Sequence, residues 1–254
     1  MGEGTVVGAL VAGGWGLCAG AALLVGAAVG SFVRVPPRWI ALVMAFGSGV
    51  LLSAVSFELV AEAYERSGIG PVVWGAVGGA AVYSGSNALL ARRGAQHRKR
   101  SGQQQPSESE APGSGNAIAL GALLDGVPES VVIGTSLLGG GHLGTATVAA
   151  VFVSNLPEGL ASAAGMRSAG RGRRYVFTLW GGIALISGWA ALAGYALLGG
   201  ASEAVIAMIT AVAGGAILAM IADTMIPEAY GKVHLLTGLV TVVGFLSAFA
   251  LAHV

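Results

Sequence analysis

The hexapeptide DGVPES at residues 125–130, with its near-copy SNLPEG at 154–159, decides how this sequence is interpreted. Each places a glutamate directly after a proline, near the middle of an apolar segment long enough to cross a bilayer. Carboxylates and prolines are both unfavourable in hydrocarbon, because charges lose their water and proline removes a backbone hydrogen bond. Two such pairs in neighbouring segments therefore predict a polar binding site, suited to a cation, in the middle of a membrane protein.

The composition predicts an all-α integral membrane protein. Of 254 residues, 55% are hydrophobic and only 10% are charged, whereas soluble domains carry about 25% charged residues. The 43 glycines favour a tight helical bundle, because small residues let membrane helices approach closely. The single cysteine, Cys18, excludes an intrachain disulfide and a cysteine-cluster metal site. A net charge of +1 gives no indication of nucleic-acid binding.

Eight segments are long and apolar enough to cross a membrane as helices. The predicted spans are 5–30, 39–63, 71–91, 117–138, 144–165, 175–198, 203–226 and 234–253. We therefore expect an eight-helix transmembrane bundle in one membrane domain, divided three plus five. Residues 1–91 form helices 1–3, and residues 117–254 form helices 4–8. The polar, basic and Ser/Gln/Pro-rich residues 92–116 between them have the composition of a flexible linker.

The basic residues predict the orientation of the bundle. Twelve of the 13 lysines and arginines lie in connections that follow odd-numbered helices, and only Arg66 lies elsewhere. Basic residues collect on the cytoplasmic side of membrane proteins. The linker is therefore predicted to be cytoplasmic and both termini extracytoplasmic, in a multi-pass protein of the cytoplasmic membrane.

Seven carboxylates lie inside the predicted spans or at their edges. They are Glu58, Glu62, Asp125, Glu129, Glu158, Asp223 and Glu228. No lysine or arginine lies within a span, so we expect these acids to have no basic partner in the protein. Each unpaired buried carboxylate costs several kcal/mol. An added cation, or protons, is therefore the predicted partner.

The candidate ligands share one helix face in each of two neighbouring helices. Asp125 and Glu129 are four residues apart in helix 4, as Ser154 and Glu158 are in helix 5. Asn155 lies three residues before Glu158. Residues three or four apart are neighbours on a helix surface. Helices 4 and 5 run antiparallel through a short connection, so these two polar faces are expected to meet at mid-depth and form a metal site.

Two prolines are expected to break these helices beside the acids. Pro128 and Pro157 each leave one backbone carbonyl without its helical donor. Transporters commonly bind ions at interrupted helices near the bilayer midplane. The remaining acids at the ends of neighbouring spans are predicted to mark a transport pathway; they are Glu58, Glu62, Asp223 and Glu228.

With these motifs the chain resembles the ZIP family of divalent-metal transporters, in particular its bacterial members. The resemblance includes SGVLLSAVSFELVAEA (48–63) in helix 2 and MIPEAY (225–230) in helix 7, besides the two proline-glutamate motifs. It implies uptake of zinc, manganese or iron through a one- or two-metal site in helices 4 and 5. Glu129 and Glu158 are the implied central ligands, and Asn155 matches a further family ligand. The implied partners are divalent metal ions and the lipid bilayer, with no prosthetic group.

The chain departs from the family pattern at several ligand positions. Asp125 stands where the family has His, Gly126 where it has Asn, and Ser154 where it commonly has His or Gln. Helix 6 has no acid in Ser187–Leu192, and Tyr230 replaces the last His of the helix-7 motif. An all-oxygen site suits hard ions such as Mn²⁺, Mg²⁺ or Fe²⁺, while zinc can still bind carboxylates. The loss of the amide at Gly126 favours one metal over two.

Two other functions stay open at this point. One is a family member that binds metal or a partner without transporting it, and the other is a proton-coupled carrier of a small solute. An enzyme is not expected, because the sequence has no nucleotide-binding loop or HExxH motif and no evident nucleophile–base pair. The metal, the transport mechanism and the formation of a homodimer are not determined by the sequence.

Overall fold

The computed structural model describes residues 3–101, 103–139 and 142–253, and these residues contain helices and turns but no strand. Within them the chain forms eight long helical segments, which we number α1 to α8. Their bounds are α1 Glu3–Phe32, α2 Pro37–Ser67, α3 Ile69–Leu90, α4 Ser114–Ser136, α5 His142–Ser168, α6 Arg173–Leu198, α7 Glu203–Val233 and α8 Leu235–Ala252. The all-helical fold predicted from composition is confirmed.

Six of these helices, judged over the described residues, are long and apolar enough to cross a membrane. They are α1, α2, α4, α6, α7 and α8. The chain therefore has the character of a multi-pass helical membrane protein. Helix α3 is less apolar because it contains several glycines and the polar run Ser84–Asn87, and α5 is less apolar because it carries the SNLPEG motif.

Helices α2 and α7 each contain a π-helical segment at the same place. Both helices have 31 residues. The π-helical segment is Val55–Val60 in α2 and Ile221–Met225 in α7, and each begins at the nineteenth residue of its helix. Such segments insert an extra residue into the helical turn and are frequent at functional sites. Each one carries a predicted pathway acid, Glu58 in α2 and Asp223 in α7.

The same two helices are an internal repeat in sequence. A constant offset of 166 residues superimposes eight identical residues, including the tripeptide Glu-Ala-Tyr at 62–64 and at 228–230. The basic residue that follows this tripeptide is Arg66 in α2 and Lys232 in α7. The π-helical segments coincide under the same offset. Helices α2 and α7 are therefore two copies of one structural element.

The packing around these copies repeats as well. Helix α2 packs against α8, and α7 packs against α3. A Cβ on Gly49 of α2 would lie 1.9 Å from the Thr241 carbonyl oxygen of α8. A Cβ on its counterpart Gly215 of α7 would lie 2.0 Å from the Ala76 carbonyl oxygen of α3. The absence of a side chain at these glycines lets the backbones touch, as in other membrane helix pairs.

Helices α4 and α5 are enclosed by the other helices. Helix α5 packs on α1 and α2, and α4 packs on α6 and α7. The crossing of α5 with α1 is very close, because a Cβ on Gly159 would lie 2.2 Å from the Leu23 carbonyl oxygen. The two helices that carry the proline-glutamate motifs are thus held in the interior, with their polar residues away from lipid.

Candidate cation site

The five predicted ligands are all buried near the middle of α4 and α5. Asp125 is the central residue of α4, and Asn155 is the central residue of α5. Glu129, Ser154 and Glu158 lie within one turn of these midpoints, and none of the five is more than 4% exposed. The structure therefore keeps the two polar faces in the protein interior.

Asp125 is bound by an arginine and a tyrosine. Arg98 donates to both of its carboxylate oxygens, from Nε at 2.9 Å and from Nη2 at 2.8 Å. The Tyr83 hydroxyl donates to Oδ1 at 2.6 Å. Arg98 also donates to the Tyr83 hydroxyl at 2.8 Å and to the Asn87 amide oxygen at 2.6 Å. This two-pronged contact is the strong form of an arginine–carboxylate pair.

Lys99 joins the two helices through its ammonium group. Its Nζ lies 2.8 Å from Glu158 Oε2 on α5 and 3.4 Å from Asp125 Oδ2 on α4. Both contacts are ion pairs by distance, and the side chain of Lys99 is only 6% exposed. A positive charge from the protein itself therefore lies between the two carboxylates.

The prediction that the carboxylates have no basic partner is wrong for Asp125, Glu158 and Glu228, and also for Glu62, which pairs with Arg66 of its own helix. The partners of Asp125, Glu158 and Glu228 come from residues 92–116, which the sequence predicts to be a flexible linker, and part of that linker lies inside the bundle. The expectation counted only basic residues within spans, whereas the chain returns to the bundle after α3. We call Arg98–Ser101 the inserted segment.

The end of the inserted segment is attached to α7 through Glu228. The backbone N–H and the hydroxyl of Ser101 both donate to Glu228 Oε1, at 2.9 and 2.8 Å. The guanidinium of Arg100 lies 3.4 Å from Glu228 Oε2 and donates to the Pro227 carbonyl oxygen at 3.2 Å. Glu228 is 1% exposed. The predicted pathway acid of α7 is therefore the anchor of this segment.

Two glycines and a glutamine make room for the inserted segment and hold it. A Cβ on Gly121 of α4 would lie 2.5 Å from Arg98 Cδ, and one on Gly165 of α5 would lie 2.1 Å from the Arg100 carbonyl oxygen. Gln105 donates through Nε2 to the carbonyl oxygens of Arg98 at 2.9 Å and of Ser162 on α5 at 3.2 Å. The helices are thus shaped to receive this part of the chain.

Two carboxylate oxygens in the cluster have no hydrogen-bond donor among the described residues. They are Oε1 of Glu129 and Oε1 of Glu158, and both are buried. The polar groups beside them use their protons elsewhere. Ser154 donates to the Val151 carbonyl oxygen at 2.9 Å, and Asn155 donates to the Ala19 carbonyl oxygen of α1 at 2.8 Å. The cluster therefore retains acceptor oxygens that a cation could bind.

The prolines do not end either helix. Helix α4 continues through Pro128 and α5 continues through Pro157. A proline inside a helix removes one hydrogen bond, and in membrane proteins neighbouring helices compensate for this loss. The Pro157 ring packs beside Gly47 of α2, where a Cβ would lie 3.0 Å from the ring. The helix-breaking role predicted for these residues is therefore not observed.

Three other predicted pathway acids lie away from the cluster. Glu58 is buried and accepts a hydrogen bond of 2.6 Å from Thr147. Glu62 forms an ion pair of 2.6 Å with Arg66 one turn later in α2. Asp223 lies on an exposed part of α7 and accepts a long 3.4 Å hydrogen bond from the Ser84 hydroxyl. The structure does not bring these acids together with Glu129 and Glu158.

Outside the helices, the end of the linker is fixed by Glu108. Its carboxylate accepts hydrogen bonds from the backbone N–H groups of Gly113 and Gly115 at the start of α4, and it lies 3.2 Å from Arg171. The hydrogen bonds from Gly113 and Gly115, followed by the charge of Arg171, hold the pKa of Glu108 below its usual value. This carboxylate acts as an N-terminal cap for α4.

The described residues contain no group of three or more His, Cys, Asp or Glu side chains arranged to hold a metal ion. Asp125 is paired with Arg98, while Glu158 is paired with Lys99. In this conformation two basic side chains therefore pair with Asp125 and Glu158, two of the three acids of the cluster.

No family model matches the chain, and no curated sequence matches it significantly. The resemblance to ZIP transporters therefore rests on the motifs and their order along the chain.

Proposed function

We propose that this protein transports a divalent metal cation across the cytoplasmic membrane, through the carboxylate site between α4 and α5. The substrate class is Zn²⁺, Mn²⁺ or Fe²⁺, and the direction is uptake. The observation that carries this function is the buried Lys99 ammonium, which lies 2.8 Å from Glu158 and 3.4 Å from Asp125. The centre of the bundle thus attracts and holds positive charge in a place where hydrocarbon would exclude it.

The chemistry of the cluster supports a metal cation over an organic solute. Asp125, Glu129 and Glu158 together carry three acidic groups, and their oxygens are the ligands that hard divalent ions prefer. Buried charges of one sign are strongly unfavourable without an opposite charge. A cationic partner therefore lowers the cost of burying these three acids.

The wider arrangement that we propose has eight membrane spans and both termini outside the cell. Besides the six helices of clear membrane character, α3 and α5 pack among them over comparable lengths. The distribution of basic residues supports this orientation. The motifs shared with ZIP transporters support it further, and they give Glu129 and Glu158 the role of central ligands.

The test is metal flux into proteoliposomes that contain the purified protein. Glu129→Gln and Glu158→Gln preserve side-chain shape and remove charge, so each is expected to abolish flux of Mn²⁺ or Zn²⁺. Glu110→Gln, which changes an exposed linker acid in the same way, is the matched control and should transport normally. Full flux in both site variants would refute the assignment of the site.

A second candidate is a protein that binds metal without transporting it. It is favoured by one observation, namely that Arg98 and Lys99 already pair with Asp125 and Glu158. Metal-dependent thermal stabilisation reports binding, because a ligand of the folded state raises its stability. Stabilisation that depends on Glu158, together with no flux for any of the three metals, would support this candidate over the transporter.

A further inference from the structure

We propose that the inserted segment (Arg98–Ser101) is a tethered competitor of the transported cation, which closes the site until a divalent ion displaces it. This inference rests on the proposed function and adds a regulatory element to it. It assigns to the linker the role of a gate whose own cationic groups occupy the carboxylates of the site.

The charges of the inserted segment match those of the substrate. Arg98 and Lys99 together bring two positive charges to Asp125 and Glu158. One divalent cation brings the same two charges. Exchange of one for the other therefore leaves the net charge of the buried cluster unchanged, which avoids the large cost of an uncompensated buried charge.

The two occupants exclude each other. The Lys99 ammonium is within ion-pair distance of Glu158 Oε2 and Asp125 Oδ2. A metal coordinated by these carboxylates would lie within about 2.0–2.6 Å of the same oxygens. Two cations bound to the same oxygens would lie almost in contact and would repel each other strongly. Binding of a metal to Glu158 Oε2 and Asp125 Oδ2 therefore requires that Lys99 leave.

The inserted segment fits a prepared place, which distinguishes it from a chance surface salt bridge. Gly121 and Gly165 leave the space that Arg98 and the Arg100 carbonyl fill. Glu228 accepts two hydrogen bonds from Ser101. These contacts lie on three different helices, so the segment closes the bundle by joining α4, α5 and α7.

The ends of the linker allow the segment to move as a unit. Gly94 and Gly113 have φ angles of +94° and +83°, in the left-handed region that favours glycine. They stand at the end of the helical structure that follows α3 and just before α4. The two attachment points are close together, since a Cβ on Gly94 would lie 2.8 Å from Ser114 Cβ. The linker can therefore leave the bundle while its ends stay in place.

The first test uses the lysines of the chain, of which there are only two. Lys99 is buried and Lys232 is partly exposed, so Lys232 is an internal reference. We expect limiting acetic anhydride to label Lys99 about tenfold more slowly than Lys232, because labelling requires local opening. Addition of Mn²⁺ or Zn²⁺ should raise the labelling of Lys99 several-fold and leave that of Lys232 unchanged.

The second test measures metal affinity by thermal stabilisation. Lys99→Gln removes the competing charge and should lower the metal concentration at half-stabilisation by about tenfold, or 1.4 kcal/mol. Lys232→Gln is the matched control and should bind as the wild type does. Gly165→Ala retains every charge but pushes against the Arg100 carbonyl. Gly165→Ala should raise both the metal affinity and the rate of Lys99 labelling. It therefore provides an alternative test if Lys99→Gln folds poorly.

The outcomes of these tests distinguish failure of this inference from failure of the proposed transport function. Metal could stabilise the protein in a way that depends on Glu158, yet leave Lys99 slowly labelled and bind Lys99→Gln no more tightly than wild type. That result would refute the role of the inserted segment as a competitor and would leave the proposed transport function intact. Labelling of Lys99 as fast as Lys232 without metal would also refute that role. No metal binding by wild type, Lys99→Gln or Gly165→Ala would overturn both the site and its competitor.

Discussion

The pair of Arg98 and Asp125 offers the most direct test of how this protein is built. The perturbation is Arg98→Met, which retains a long apolar side chain and removes the guanidinium. In the wild type that group makes two hydrogen bonds to Asp125 and one each to Tyr83 and Asn87. Arg98 is only 2% exposed, so water cannot replace these contacts without opening the bundle.

The expected loss in the free energy of unfolding is about 3–5 kcal/mol, the usual effect of removing one partner of a buried ion pair. Most of this loss comes from the buried charge left on Asp125. Neutralising that charge should therefore recover much of it. In the double variant Arg98→Met/Asp125→Asn, the two effects should fall short of additivity by up to about 3 kcal/mol.

The assay is an unfolding titration in mixed micelles, followed by circular dichroism for the four proteins of the cycle. Arg92→Met is the matched control, because Arg92 lies in the same part of the chain and is exposed. Its effect should stay within about 0.5 kcal/mol. If Arg98→Met is as mild as Arg92→Met, or if the two single effects simply add, the guanidinium is not buried against Asp125.

Three further predictions concern packing, a helix contact and pH. Gly159→Ala should destabilise by about 1–3 kcal/mol in the same titration, because its Cβ would lie 2.2 Å from an α1 carbonyl oxygen; Gly181→Ala, with no atom within 4 Å of the new Cβ, should be neutral. Asn155→Ala removes the 2.8 Å hydrogen bond to the Ala19 carbonyl oxygen and should cost about 1–2 kcal/mol in the same titration. A loss no larger than that of Gly181→Ala would contradict this expectation. The folded pKa of Glu108 lies below its usual 4.5, so this carboxylate stabilises the fold above pH 4.5 and the stabilisation is lost as the pH falls through the folded pKa. Glu108→Gln should therefore be less stable than wild type at pH 7 and as stable as wild type in acid. A stability difference that persists in acid would contradict the role of Glu108 as a helix cap.

The helices could be predicted because their signals are local. Pro36 and Pro37 mark the start of α2, and the structure begins that helix at Pro37. The apolar run that ends near Leu198 and the acid Glu203 likewise locate the end of α6 and the start of α7. Length and hydrophobicity determine such segments without knowledge of their neighbours. The π-helical segments were not predicted, because one extra residue in a helical turn changes neither the length nor the hydrophobicity of a span noticeably.

The burial of the inserted segment could not be predicted from local sequence. Arg98, Lys99 and Arg100 lie in a polar run whose composition is that of a disordered linker. Their burial depends on acids that lie far along the chain, such as Asp125 and Glu228. A weaker signal was present in the charge balance. A membrane domain with several buried acids and no basic residue in its spans needs cations from somewhere, and the longest basic loop is the nearest source.

The internal repeat of α2 and α7 is an inverted one. Helices joined by short connections alternate in direction, and the close approach of Gly94 to Ser114 keeps this alternation across the linker, so α2 and α7 run in opposite directions. Inverted copies of this kind place a binding site between them in transporters.

The two copies end in matching acids with different partners. In α2, Glu62 pairs with Arg66 one turn later, at 2.6 Å. In α7 the equivalent Glu228 pairs with Arg100, although Lys232 stands at the position that matches Arg66. The inserted segment therefore occupies the place beside Glu228 that the repeat would give to Lys232.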